Sequence, residues 1–434
     1  MHPTTPIHEV HRRMRYRVVA ASIAVLLSTA ACSSDDKSSG DNGTDGSGKT
    51  TTTAPSEEVL GTPNAAEGEP LKIGFVSDGQ AASFDDTAKV QAADAVVKYL
   101  NDYRAGFAGR PIDLVKCETG GEQGKAADCA NELIQEGVVM TVMPDSLAAL
   151  GVYNVMSEEN LPLFVFGVTD QAILTDAEST FQLVDPLAGL SALPIEVAQD
   201  NGVDKVSAVI IDVPAATAFY QTLAPGIFEE AGIKLDMITV PPGTADLTPQ
   251  MAEIANGGPT VVHIIGDESM CIAALNGLAA AGYDGPVDTL WSCVTDAVKT
   301  AVGDRLKGVV LGTPSPLADL DDPGMALMTA IFEHYDAGIE DTEVGAMTFM
   351  TLMAVRDALD GLTGDVTSEN IISTIKAMPE KDLLGGGGLK FRCNGKAQPL
   401  LPAICTRGAL KIALDADGEP VLPYEPLGSS PIPD

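Results

Sequence analysis

Two hydroxyl side chains 23 positions apart, Ser146 and Thr169, stand where short apolar runs give way to polar loops. Val138 to Met143 leads into Pro144-Asp145-Ser146, and Leu161 to Phe166 leads into Gly167-Val168-Thr169-Asp170. A serine hydroxyl followed by the first N–H groups of a helix is ready to receive an anion. Gly167 adds a backbone that a ligand can approach closely. Together the two loops could hold a carboxylate, although Ser and Thr at helix starts are mostly plain caps. This is the chemistry of binding without turnover. Beyond the N-terminal segment only His263, inside an apolar run, and His334, on a helix, remain, and neither lies near a candidate nucleophile loop. No paired carboxylates stand at a recognisable spacing, so an enzyme is not expected. Gly385-Gly386-Gly387-Gly388 lacks the Lys-Ser/Thr of a phosphate loop, and Asp415-Ala416-Asp417-Gly418 lacks the glutamate of a calcium loop. Neither a cofactor nor a metal is expected.

The cysteines carry a different message. Cys32 ends the run Leu27-Ser28-Thr29-Ala30-Ala31-Cys32, behind a basic stretch from His11 to Arg17 and an apolar one from Val18 to Leu27. That succession reads as a lipoprotein leader over residues 1–31, with Cys32 as the lipidated N-terminus; an ordinary secretory peptide is the alternative. The apolar run is about half of the roughly 20 residues that span a bilayer. The other six cysteines fall into sequence-near couples, Cys117 with Cys129, Cys271 with Cys293 and Cys393 with Cys405. In an exported protein these read as three disulfides. Zinc is the competing idea, but no CxxC pair is present and no histidine stands at ligand spacing.

Residues 32–70 are Ser, Thr, Gly, Asp and Glu with few apolar side chains, and read as a disordered tether. From Leu71 to Asp434 the chain is long enough for two domains and carries the apolar residues to fill them. A formal charge of -35 makes nucleic acid and anionic lipid poor partners for this body. Short apolar runs alternate with amphipathic stretches: Leu71 to Val76, then Ala88 to Tyr103; Pro111 to Val115, then Lys125 to Gln135; and so on through Lys205 to Ile211, Lys234 to Val240, Thr260 to Ile265, Val287 to Trp291 and Gly308 to Leu311. Such alternation implies parallel sheets covered by helices on both faces. Ten or more strands in one sheet would be unusual, so the expected fold is α/β with two doubly wound parallel-sheet lobes. Residues 71–186 with 316–402 would build the first lobe, and 187–315 with 403–434 the second. Three crossings, near Pro186, near Pro314 to Pro316 and after about Pro402, would form the hinge. In such sheets ligands sit outside the carboxyl ends of the strands, where the Ser146 and Thr169 loops lie.

The order of these loops, with Gly109-Arg110-Pro111-Ile112-Asp113-Leu114, Cys117, Cys129-Ala130-Asn131-Glu132-Leu133-Ile134 and the closing run Gly408 to Leu414, resembles the type I periplasmic binding proteins, in particular the Leu/Ile/Val-binding branch. Those are extracytoplasmic receptors of ABC importers, so the resemblance implies a monomer, anchored on the outer face of the cell membrane, that hands a small amino-acid-like or carboxylate ligand to a membrane permease. A sensor of the same fold, or a receptor for amides or hydrophobic acids, is the alternative. The resemblance implies that Ser146 and Thr169 bind the ligand's carboxylate and ammonium, with Gly167 as the backbone contributor. It also places Phe84 near an aromatic that covers the ligand. The second lobe departs from the family pattern: Asp212-Val213-Pro214-Ala215-Ala216-Thr217 replaces a Tyr-Gly lid, and Gly266-Asp267-Glu268 and Trp291-Ser292-Cys293 replace the tyrosine and acidic partner expected at the next two strand ends. Asp267 or Glu268 could take over the ammonium, or Asp267 could simply cap its helix. Trp291 could face the ligand or pack within the lobe. With Phe84, Val168, Ala215 and Ala216 it argues for a ligand with a hydrophobic part.

Overall fold

The computed structural model describes residues 56–80, 85–316, 319, 321–335, 337–339, 342–428 and 431–434. The leader, Cys32 and Phe84 lie outside the described residues. No described helix is long and apolar enough to cross a membrane.

The first sheet contains β1 (Leu71–Ser77), β2 (Ile112–Glu118), β3 (Thr141–Met143), β4 (Leu163–Val165) and β5 (Thr180–Gln182), in the order β2-β1-β3-β4-β5 with every pair parallel. Side chains alternate along β1. Ile73 and Phe75 meet Val96 and Leu100 of helix Thr87–Tyr103 and Phe349 and Met353 of helix Thr342–Ala358, while Val76 meets Ala130, Leu133 and Val152 on the opposite face. Burying both faces is why β1 reads as a nearly unbroken apolar run. Helix Gln123–Glu136 then stops at Gly137, whose φ of 78° supplies the left-handed turn that carries the chain back to the sheet.

The second sheet repeats the plan with β6 (Lys205–Ile211), β7 (Lys234–Val240), β8 (Val261–Ile265), β9 (Val287–Leu290) and β10 (Val310–Thr313). After a two-stranded pair, β11 (Lys381–Asp382) with β12 (Lys390–Phe391), the chain adds β13 (Ala409–Ala413) and β14 (Glu425–Leu427). The order is β14-β13-β10-β9-β8-β6-β7. Here the expectation of parallel pairing holds only in part. β13 runs antiparallel to β10, its start pairing with the end of β10 because the chain re-enters the sheet at the end by which it left, and β14 then folds back antiparallel on β13.

Two boundaries differ from the sequence reading. Residues 56–70, expected as tether, dock on the first lobe: Leu60 is buried beside Tyr99, the N–H groups of Asn64, Ala66 and Glu67 donate to the carbonyls of Asp102, Asn101 and Gly109, and Arg110 donates to the carbonyls of Glu69 and Pro70. One apolar anchor plus backbone bonds suffices where composition alone showed no core. Residues 403–405 and 431–434, expected in the second lobe, join the first. The Cys405 N–H donates to the Gln182 carbonyl and the Gln182 N–H to the Ala403 carbonyl, Ile432 packs on Leu174 and Ile404, and Asn394 donates to the Pro433 carbonyl at 2.7 Å.

Disulfides join Cys117 to Cys129, Cys271 to Cys293 and Cys393 to Cys405. The second closes the longest loop, 22 residues apart, and ties the first turn of helix Glu268–Ala280 to the turn after β9. Replacing Cys271 and Cys293 by alanine is expected to cost about 3 kcal/mol through the freed unfolded chain. A urea midpoint unchanged from the parent would contradict this.

Candidate ligand-binding site

In the first sheet β1 and β3 are neighbours although β2 intervenes in the chain, so the direction of strand addition reverses between them. Such a reversal opens a crevice at the strand carboxyl ends. Asp78, directly after β1, fills the floor of that crevice and is only 3 % exposed. Its Oδ1 accepts the hydroxyl protons of Ser146 and Thr119, each at 2.5 Å, and its Oδ2 accepts the N–H of Leu147 at 2.7 Å. Both hydroxyl oxygens also accept backbone N–H groups, Ser146 from Ala148 and Thr119 from Gly121, each at 3.0 Å. The anion-ready start at Ser146 is therefore present, and the anion in it is the chain's own carboxylate.

A second layer holds Asp78 in place. The Asp78 N–H donates to Asp86 Oδ2 at 3.1 Å, and the buried Lys89 ammonium meets Asp86 at 2.8 Å and Asp145 at 2.6 Å. Burial acts against the charge on Lys89, but Asp145 and Asp86 together outweigh it and its pKa stands above the ordinary value. Asp145 shows the converse: burial raises its carboxyl despite the Lys89 ammonium. The turn after Asp78 needs glycine, because Gly79 has φ +73° and a Cβ there would come within 2.6 Å of Glu118 Oε2.

The second loop of the first lobe is only partly as expected. Thr169 is exposed beyond β4, but the Gly167 N–H is taken by the Pro144 carbonyl at 3.1 Å. Val168 is a correction. Its side chain is buried in the core, and the Gln182 amide clamps its N–H and its carbonyl at 3.1 and 3.2 Å, which turns it away from solvent.

The second sheet reverses between β6 and β8, where the loops carry Ala216 and Asp267. Ala216 packs partly into its own lobe's core. Asp267 is exposed and caps helix Glu268–Ala280; the Met270 N–H and the Ser269 hydroxyl hold its carboxyl below the usual range. Trp291, in the turn after β9, is 57 % exposed and so is not spent on packing within the lobe. Likewise Leu147, which follows β3 on the first lobe, is 71 % exposed. Sequence reasoning missed Leu147, Asp78, Thr119 and Lys89. The available signal for Asp78 was an acid placed at the carboxyl end of the first strand.

The hinge adds a titrating group. Asp185, next to the first crossing, is buried; its carboxylate accepts from Leu187 N–H at 2.9 Å and from the Gln398 amide at 2.5 Å, and burial pushes its pKa up to about 6. A carboxyl that holds its proton more tightly when folded stabilises the fold at low pH, and this contribution is lost as pH rises from about 4 to about 6. Asp185→Asn should remove that slope and be neutral or stabilising by about 1–3 kcal/mol at pH 7. Thermal melts from pH 4 to 8 would show it, and an unchanged slope would refute it.

No curated protein sequence matches. Among solved structures, an ABC transporter substrate-binding protein from Sphaerobacter thermophilus aligns with a TM-score of 0.65 at 20 % identity, covering 83 % of this chain and 99 % of that one. A leucine-binding protein from Thermotoga maritima aligns at 0.58 and 15 % identity over 82 % and 97 %. A solute-binding protein of an ABC transporter from R. palustris, in complex with benzoate, aligns at 0.57 and 16 % identity over 83 % and 97 %. These likenesses show the type I fold. A family model described as periplasmic binding protein matches residues 70–401, three quarters of the sequence, and the chain belongs to that family.

Proposed function

We propose that this chain is a solute receptor of an ABC importer, held outside the cell membrane by a lipid on Cys32, which closes its two lobes on a small ligand and delivers it to a permease. The observation that supports this most is the pair of bare apolar side chains, Leu147 and Trp291, one at strand carboxyl ends of each sheet. Met237, Leu400, Val421 and Leu422 are exposed as well, so it is position that sets Leu147 and Trp291 apart: among the described residues they are the exposed large apolar side chains that follow the carboxyl ends of parallel strands, where ligands of such sheets sit. Closing the hinge on a ligand would cover both. The ligand's polar head would meet Ser146, the Gly167 backbone and Thr169, its apolar part would meet Leu147 and Trp291 with Ala216 beside them, and Asp267 would face it from the second lobe.

Because a ligand that binds only the folded state must stabilise it, a thermal-shift series on the full chain tests the reading. The series would include amino acids, amides, amines, and aromatic and aliphatic carboxylates. A saturable rise in Tm is expected, with binding weakened by about 1–3 kcal/mol in Ser146→Ala and in Thr169→Ala. A cooperative melt that no compound shifts would reject the receptor, and undiminished affinity in both variants would reject the site.

A further inference from the structure

We infer that Asp78 sets the ligand class: the head group bound at the Ser146 wall is a hydrogen-bond donor without a carboxylate, such as a primary amide or an amine, on an apolar body. The inference deepens the receptor reading above and rests on it.

A hydroxyl has one proton to give. Ser146 gives its proton to Asp78 and receives the Ala148 N–H; Thr119 gives its proton to the same oxygen and receives the Gly121 N–H. The Leu147 N–H, the remaining donor at this helix start, is bound to the other Asp78 oxygen. All three donors at the Ser146 wall are therefore satisfied from inside the chain, which leaves a carboxylate only the exposed Thr169 among the first-lobe hydroxyls named above. A ligand carboxylate would have to displace Asp78, which is buried, or sit beside it as a like charge. Nearby cationic help is also spent, because Lys89 is shared between Asp86 and Asp145. Asp78 keeps one lone pair, on Oδ2, beyond these three bonds, and the half-buried Ser146 keeps one beyond the Ala148 N–H. A ligand N–H meets acceptors there without disturbing the network. The exposed Leu147, whose own N–H helps hold Asp78, places an apolar surface next to this head-group position.

The test uses compounds that share an apolar part and differ in the head: 4-methylpentanamide, isoamylamine and 4-methylpentanoate; phenylacetamide and phenylacetate; leucinamide and leucine. Titration calorimetry on the full chain should show the amide or amine of at least one set binding about tenfold or more tighter than its carboxylate, since placing like charges together is strongly disfavoured. Asp78→Ser, which removes the internal carboxylate and releases the three donors, should reverse that preference. A carboxylate that binds the parent chain as tightly as its amide and amine counterparts overturns the inference and leaves the receptor standing. Heat and melting signals absent for every compound would overturn both. Should Asp78→Ser fail to fold, the ranking on the parent chain still decides.

Discussion

Lys89→Met is expected to destabilise the folded chain by about 3 kcal/mol or more, the scale for removing one partner of a buried ion pair. The Lys89 and Asp86 side chains are 4 % and 12 % exposed, so their charges are screened by protein rather than by water. The Asp145 side chain is 40 % exposed as a whole, but the oxygen that meets Lys89 is itself buried. Methionine keeps the length and the packing of the lysine stem, so the loss reports the charge. The effect should depend on pH with a definite sign. Burial already raises the Asp145 carboxyl, and without the ammonium nothing opposes that rise. A carboxyl whose folded pKa lies above its unfolded value stabilises the fold when protonated, so the deficit should be greatest near neutrality and shrink as pH falls toward the ordinary carboxylate range. Because Asp86 accepts the Asp78 N–H, the loss should also reach the ligand wall and weaken binding of whichever compound stabilises the parent. Urea unfolding at pH 4.5 and pH 7 would measure it. A deficit below about 1 kcal/mol at both would mean that the pair is solvated after all.

What the sequence revealed of this fold followed burial. β1, β6 and β8 are sandwiched between helices, read as unbroken apolar runs, and were located to within a residue or two. β5 is only Thr180–Gln182, too short for a pattern and ending in the glutamine that clamps Val168, and it was not anticipated. The stretch from Ala216 to Ala231 reads as one helix but folds as two, Pro214–Thr222 and Ala224–Glu230, because Pro225 starts a new turn. Docking of residues 56–70 leaves no periodic trace because it relies on backbone bonds, the Arg110 side chain and the short apolar pair Val59 and Leu60. The candidate site differs in the same way. Ser146 could be singled out because a hydroxyl at a strand end has a local meaning. That its proton belongs to Asp78, 68 positions earlier, depends on β1 and β3 lying side by side, and pairing at that distance carries no local signal.

The second large effect lies beneath the other wall. His263→Leu is expected to cost about 3–5 kcal/mol, because it leaves Asp288 buried without its partner. His263 on β8 and Asp288 on β9 are cross-strand neighbours with no exposed surface, and Nδ1 of the imidazole meets Asp288 Oδ1. Nε2 meets the Tyr220 hydroxyl at 2.9 Å, and that hydroxyl donates to the Leu190 carbonyl at 2.7 Å. Since the Tyr220 proton is spent on Leu190, Nε2 must be the donor in its bond. One further proton then lies between Nδ1 and Asp288, so the group is neutral as a whole and can be buried. Tyr220 belongs to helix Pro214–Thr222 beside the crevice, and Leu190 lies in the first turns beyond the hinge. The chain of bonds thus ties β8, β9 and the helix after β6 to the first turns of the second lobe. In His263→Leu the Asp288 carboxyl, already raised by burial, should hold its proton, and stability should fall as pH rises. The double variant His263→Leu with Asp288→Val removes both members of the pair and should recover much of the single loss, because an apolar pair leaves no buried group unsatisfied. Additive losses in that cycle would show that the two side chains are not coupled through a shared proton.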